Sequence, residues 1–159
     1  MAKKVVLLSC TKSKLDYPTS AQELYSASPM FRKTLEYGTS LKPDKIYILS
    51  AKHNLVPLDK KLAPYDKTLK DMPVEEKEKW GEDVVKQMRA AGLNLENDNF
   101  IFLTGSEYMK PLLKYIKHYE TPMAGKRMGE RLQWLNSQIK KITEIFKRLK
   151  NLIHECISR

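Results

Sequence analysis

A mainly parallel α/β sheet flanked by helices, followed by one long amphipathic helix, is the fold this chain predicts. Three observations predict it. Apolar, β-prone runs recur at Val5 to Ser9, Ile46 to Ser50 and Phe100 to Gly105, and each is continuous rather than alternating, as in strands covered on both faces. Helix signals fall between them. From residue 129 onward the apolar residues settle into a heptad rhythm.

Val5 to Ser9 starts the order and stops in Cys10-Thr11-Lys12-Ser13-Lys14, a small polar loop. Ser28 is a good N-cap and Pro29 suits a first helical position, so a helix follows with Met30, Phe31, Leu35 and Tyr37 or Gly38 on its inner side. Ile46 to Ser50 is the second strand, and residues 50–68 read as one long loop beyond it. The next helix runs from Pro73 to Ala91, with Glu75, Glu76 and Glu78 in its positive N-terminal turns and Gly92 as its stop. Trp80, Val84, Val85 and Met88 form its apolar side. After the third strand, Pro111 is tolerable only in a first helical turn, which leaves Ser106 to Tyr108 as loop.

Residues 1–128 thus form an α/β domain with a basic cleft, and 129–159 a terminal helix for packing or oligomerisation. Leu132, Leu135, Ile139, Ile142, Phe146, Leu149, Ile153 and Cys156 alternate spacings of three and four. At 1.5 Å per residue this helix is about 45 Å long, more than the domain beneath it. Its stripe is expected to be buried along most of its length, by a second copy or by packing back on the sheet; a homodimer is the expectation.

The charge is +10, from 29 Lys and Arg against 19 Asp and Glu, which attracts phosphate-rich partners at long range. Two cysteines 146 positions apart make neither a disulfide framework nor a zinc pair, so no metal and no cofactor are expected. The chain has no 18-residue apolar run and enters a strand at once, so no membrane association is expected and the location reads as cytoplasmic.

The chemistry concentrates beyond the strand ends, where open α/β sheets bind ligands. Lys12 and Lys14 with Ser9, Thr11 and Ser13 form a phosphate cradle or a solvated loop; the glycines of a Walker motif are missing. Cys10 is a nucleophile favoured by two ammonium groups, or a small apolar filler. Beyond the second strand, Ser50, Lys52, His53, Tyr65 and Asp66 offer a hydroxyl, an ammonium, an imidazole, a phenol and a carboxylate, with His53 or Asp66 as general base. Tyr25, Tyr65 and Tyr108 are placed to line a site and stack on a base, whereas Tyr47 lies inside a strand as core. Gly105 closes the third strand, and Gly125 to Gly129 form a basic loop entering the last helix, either an anion site or a connector.

Leu8 to Lys14, Glu23 to Phe31, Ile48 to Val56 with Pro64-Tyr65, and Leu103-Thr104-Gly105 with Tyr108 together resemble the YaaA-like group of small bacterial and phage proteins. The resemblance implies an α/β fold with a basic cleft, association with DNA, and a link to stress or DNA-modification systems. The helical DNA-binding element of the larger YaaA proteins has no counterpart here. Cys10, Lys14 and Tyr17 are also similar in rhythm to the catalytic domain of archaeosine synthase, although Ser9 replaces the expected proline and the tyrosine comes one place late.

The expectation is an enzyme acting on a nucleobase in a nucleic acid, DNA ahead of RNA, as a glycosylase, transglycosylase or base-modifying enzyme. A non-catalytic nucleotide or nucleic-acid binding module, and an enzyme on free nucleosides or nucleotides, are the alternatives.

Overall fold

The structure is a computed structural model and describes residues 1–159. Its central sheet has five strands, and four of them are parallel. β1 (Lys4–Ser9) lies in the middle, paired in parallel with β3 (Lys45–Ser50) on one side and β6 (Asn99–Leu103) on the other. β2 (Thr19–Ser20) and β5 (Lys61–Leu62) form a separate two-residue ribbon. The three strands expected from continuous apolar runs are those that form the sheet's interior: Val5, Val6, Leu7 and Leu8 have no exposure at all. Both faces of β1 are therefore covered, and its mixed-face hydrophobicity is explained.

The outer strands are short and carry weaker signals. β4 (Asn54–Pro57) runs antiparallel to β3, and β7 (His118–Glu120) runs parallel to β6. The long loop expected over residues 50–68 is therefore interrupted. Asn54 adopts φ +63°, a left-handed conformation that asparagine tolerates, and reverses the chain so that Leu55 and Val56 return along β3. The free edge is covered locally: the Leu55 N–H donates to the Gln87 side chain at 2.7 Å.

α1 (Ala21–Leu24) and a 3-10 turn at Tyr25–Ala27 lead into α2 (Pro29–Ser40), where Ser28 caps the Phe31 N–H as expected. α3 (Val74–Ala90) ends ahead of Gly92, which takes φ +81°, and buries Trp80, Val84, Val85 and Met88. α4 (Ser106–Leu113) corrects the expectation of a loop, because Pro111 sits in its interior. The helix tolerates the lost hydrogen bond because Pro111 packs on α3. A Cβ on Gly81 would stand 2.9 Å from the Pro111 carbonyl oxygen, so the two helices meet there through a residue without a side chain.

α5 (Met128–Ile157) is a single helix of 30 residues. Its first half docks on α2, with Leu135 fully buried and Trp134 meeting Tyr37 edge to face at 5.1 Å. The second half does not pack back on the chain's own domain, the alternative to the expected homodimer. From Ile145 onward the helix leaves the body, and Phe146, Leu149 and Ile153 are at least half exposed. The body is simply shorter than the helix.

Candidate functional site

The carboxyl ends of β3, β1 and β6 lie side by side, because Ser9 pairs with Leu49 and Leu8 with Leu103. This register brings Ser50, Cys10 and Gly105 to one edge of the sheet. The Cys10 N–H donates to the Leu49 carbonyl at 2.9 Å, so the polar loop begins as an extension of the sheet.

Tyr65 is the centre of the cluster. Its hydroxyl lies 2.5 Å from that of Tyr25 and 2.7 Å from Ser50 Oγ. Ser50 Oγ in turn accepts from the His53 N–H at 3.0 Å and the Lys52 N–H at 3.3 Å, and its carbonyl accepts from Trp80 Nε1 at 2.8 Å. The turn after β3 is thus tied to both tyrosines. His53 meets the Tyr65 ring edge to face at 5.2 Å.

Two lysines lie over the same ring. Lys14 Nζ is 4.3 Å from the Tyr65 centroid and Lys52 Nζ 5.8 Å, with Lys14 also 6.0 Å from the Tyr25 ring. Burial holds the Lys14 ammonium below its ordinary value, outweighing the opposite pull of Cys10 and Asp66. Burial likewise lowers the His53 imidazole, helped by Lys52 and Lys60, so at neutral pH the ring is a proton acceptor. Burial raises the phenols of Tyr25, Tyr65 and Tyr108, which stay protonated across the physiological range.

Cys10 Sγ lies 3.2 Å from the Tyr108 hydroxyl, a contact across 98 positions of sequence. Tyr108 also meets Trp80 edge to face at 5.8 Å. The thiol is buried and occupied by this phenol, which fits the filler reading better than an attacking nucleophile.

Lys14, Lys52, His53, Tyr65 and Ser50 therefore come together, with Asp66 close enough to act electrostatically on Lys14 and with Cys10 and Tyr108 alongside. Three expected residues take other places. Tyr25 is fully buried against Phe31, so it supports Tyr65 rather than stacking on a ligand itself. Lys12 is exposed, its carbonyl 3.4 Å from Lys14 Nζ, and its own ammonium has no contact in the cluster. Ser9 is half-buried as the last residue of β1 and joins none of the hydrogen bonds of the cluster.

Gly125, at φ +77°, and Gly129 lie in and after the turn that opens α5. Their link to the sheet edge is Arg131. Its Nε donates to the Lys126 carbonyl at 2.9 Å, and its Nη1 lies 3.3 Å from where a Cβ on Gly105 would stand. The guanidinium has no carboxylate partner.

Sequence reasoning missed Trp80 and Arg131. Trp80 also occupies a core position of α3, which masks its hydrogen bond to Ser50. A groove of about 290 Å³ adjoins Asp66, lined also by Lys67, Thr68, Asp71, Met72 and Glu76. No group of His, Cys, Asp and Glu side chains is arranged to hold a metal ion. No helix is long and apolar enough to cross a membrane.

Residues 5–137 match the sequence model described as a family of unknown function, DUF6884. The match takes in every residue of the cluster and ends at Ser137, inside α5. No curated protein and no solved structure matches the chain.

Proposed function

Since the chain belongs to the DUF6884 family, whose function is not assigned, we propose from the site itself that it is an enzyme acting on a nucleobase in a nucleic acid, DNA ahead of RNA. The reaction class is cleavage or exchange of the glycosidic bond, or modification of the base. The observation that carries this reading is Lys14 over Tyr65 at the carboxyl edge of the sheet, beside a neutral imidazole and the Asp66 carboxylate. A nucleobase needs an aromatic surface, hydrogen-bond donors for its heteroatoms and a nearby cation for its phosphate, and these three stand together here.

In this reading Tyr65 and Tyr108 are the apolar walls and phenolic donors. Lys14 stabilises charge that develops on the departing or reacting base. His53 or Asp66 takes the proton from the attacking water or group. Lys52 and Arg131 flank the edge and meet phosphate, which the formal charge of +10 draws in from a distance. Tyr25, Ser50, Cys10 and Trp80 position these groups without touching substrate.

One observation favours a second reading, an enzyme on free nucleosides or nucleotides. The groove beside Asp66 also carries Asp71 and Glu76, and carboxylates there repel the backbone of a long strand.

Incubation with oligonucleotides and with free nucleosides, followed by mass spectrometry of released or altered bases, tests the proposal. Conversion that is lost in Lys14→Ala supports it; absence of any product with both substrate sets overturns it. For a polymer substrate, affinity falls steeply with salt, each neutralised phosphate of duplex DNA contributing roughly −0.9 to the log–log slope. A flat response assigns the site to the free nucleoside.

A further inference from the structure

We infer that the second half of α5 is a self-association surface and that its partner is a second copy of this chain. Ile145, Phe146, Leu149, Leu152, Ile153 and Ile157 are each between 50 and 79 % exposed, on a stretch of helix where every residue from 143 on is exposed. So much large apolar surface on one stripe marks an interface rather than scattered surface residues.

What covers it follows from the pattern. The alternation of three and four residues keeps Ile142, Phe146, Leu149, Ile153 and Cys156 on one straight seam, the arrangement that lets a helix interlock with a helix like itself. A single turn of helix against a flat surface has no need of that period over the whole length.

The charges agree. Lys140, Lys141, Lys147 and Arg148 fall on the half of the helix away from the seam, which leaves Lys150 as the one lysine or arginine between Ile145 and Ile157 that flanks it. Ile145 and Leu152 widen one flank of the seam and are covered by the same pairing. The seam also continues the line of the buried Leu135 and the half-buried Leu132 and Ile139, so one face of α5 serves the body first and the partner copy beyond it. The matched family unit ends at residue 137, ahead of all six exposed residues, which makes the interface an addition to that unit.

The mass of the full chain in solution tests this, measured by sedimentation or light scattering at micromolar concentrations. Cys156→Ser is the parent, so that no disulfide between exposed thiols can mimic the interface. The expected mass is twice the 18.5 kDa of one chain. Leu149→Asp with Ile153→Asp is expected to halve it while the melting temperature of the body stays unchanged, since both side chains lie outside the core. A parent of single-chain mass, or a double variant that keeps the doubled mass, overturns the inference. So does a parent of single-chain mass that sediments with phosphatidylserine vesicles through the same two residues, which would assign the stripe to a lipid surface.

Discussion

The Tyr25 and Tyr65 hydroxyls meet at 2.5 Å, so a phenol with no exposure to solvent fixes the orientation of one that faces the site. Tyr25→Phe removes that contact and leaves Tyr65 with Ser50 alone. The expected cost is about 1 kcal/mol in denaturant unfolding, with a larger proportional loss of substrate turnover than of stability. Turnover that survives unchanged in Tyr25→Phe would show that Tyr65 needs no support from below.

The same buried phenol sets an alkaline limit. Burial pushes Tyr25 up to about 12 from 10.0, against the hydrogen bond from Tyr65. An unfolded chain ionises this group near 10.0, so the unfolded state gains from alkali before the folded state does. The stability contributed by the neutral phenol is whole below pH 10.0 and is lost progressively up to about 12. Melting temperature against pH checks this, and the decline over that interval should be shallower in Tyr25→Phe.

Lys14 works against the fold at neutral pH. Burial disfavours its ammonium, so the charged form costs stability that returns only as pH rises toward the lysine's ordinary 10.5. Lys14→Met keeps the stem over Tyr65 and removes the charge. Its melting temperature should equal or exceed that of the parent while conversion of substrate disappears. A variant that is both inactive and less stable would make Lys14 a structural cation.

Cys10 separates packing from catalysis through its neighbour. Because Sγ meets the Tyr108 hydroxyl at 3.2 Å, Cys10→Ser can keep the contact, whereas Cys10→Ala removes it. Both variants should retain activity, with Cys10→Ala the less stable by about 1 kcal/mol. Loss of all activity in Cys10→Ser with an unchanged melt would establish a catalytic thiol.

Gly81→Ala offers a test of the packing between α3 and α4. Helix propensity alone favours the alanine by about 1 kcal/mol. Its Cβ, however, would stand 2.9 Å from the Pro111 carbonyl oxygen and 3.0 Å from Pro111 Cβ. Overpacking should win, with a net loss of about 1 to 2 kcal/mol in thermal or denaturant unfolding.

The interior strands were legible because burial on both faces leaves an uninterrupted apolar signature, as in Val5 to Leu8. His118–Glu120 and Lys61–Leu62 have no such signature, since they pair at edges and owe their strand state to neighbours. Pro111 misled because its cost is local and visible, while the compensating contact with Gly81 is thirty positions away. Within the site, residues just past apolar runs announced themselves, as Lys14 and His53 did. Trp80 did not, because its spacing on α3 is fully accounted for by the core, and Arg131 did not, being one of 29 cationic side chains. Contacts that depend on where a distant helix lands leave no mark in local pattern.

The central position of β1 has a bearing on synthesis. β1 completes its pairing only with segments that end at Ser50 and Leu103, and the Cys10 contact requires Tyr108. Because β3 precedes β6 in the chain, one edge of Val5 to Leu8 finds its partner well before the other. A break in the chain between β1 and β6 would therefore leave one edge of Val5 to Leu8 unpaired, an apolar template for the strand of another molecule.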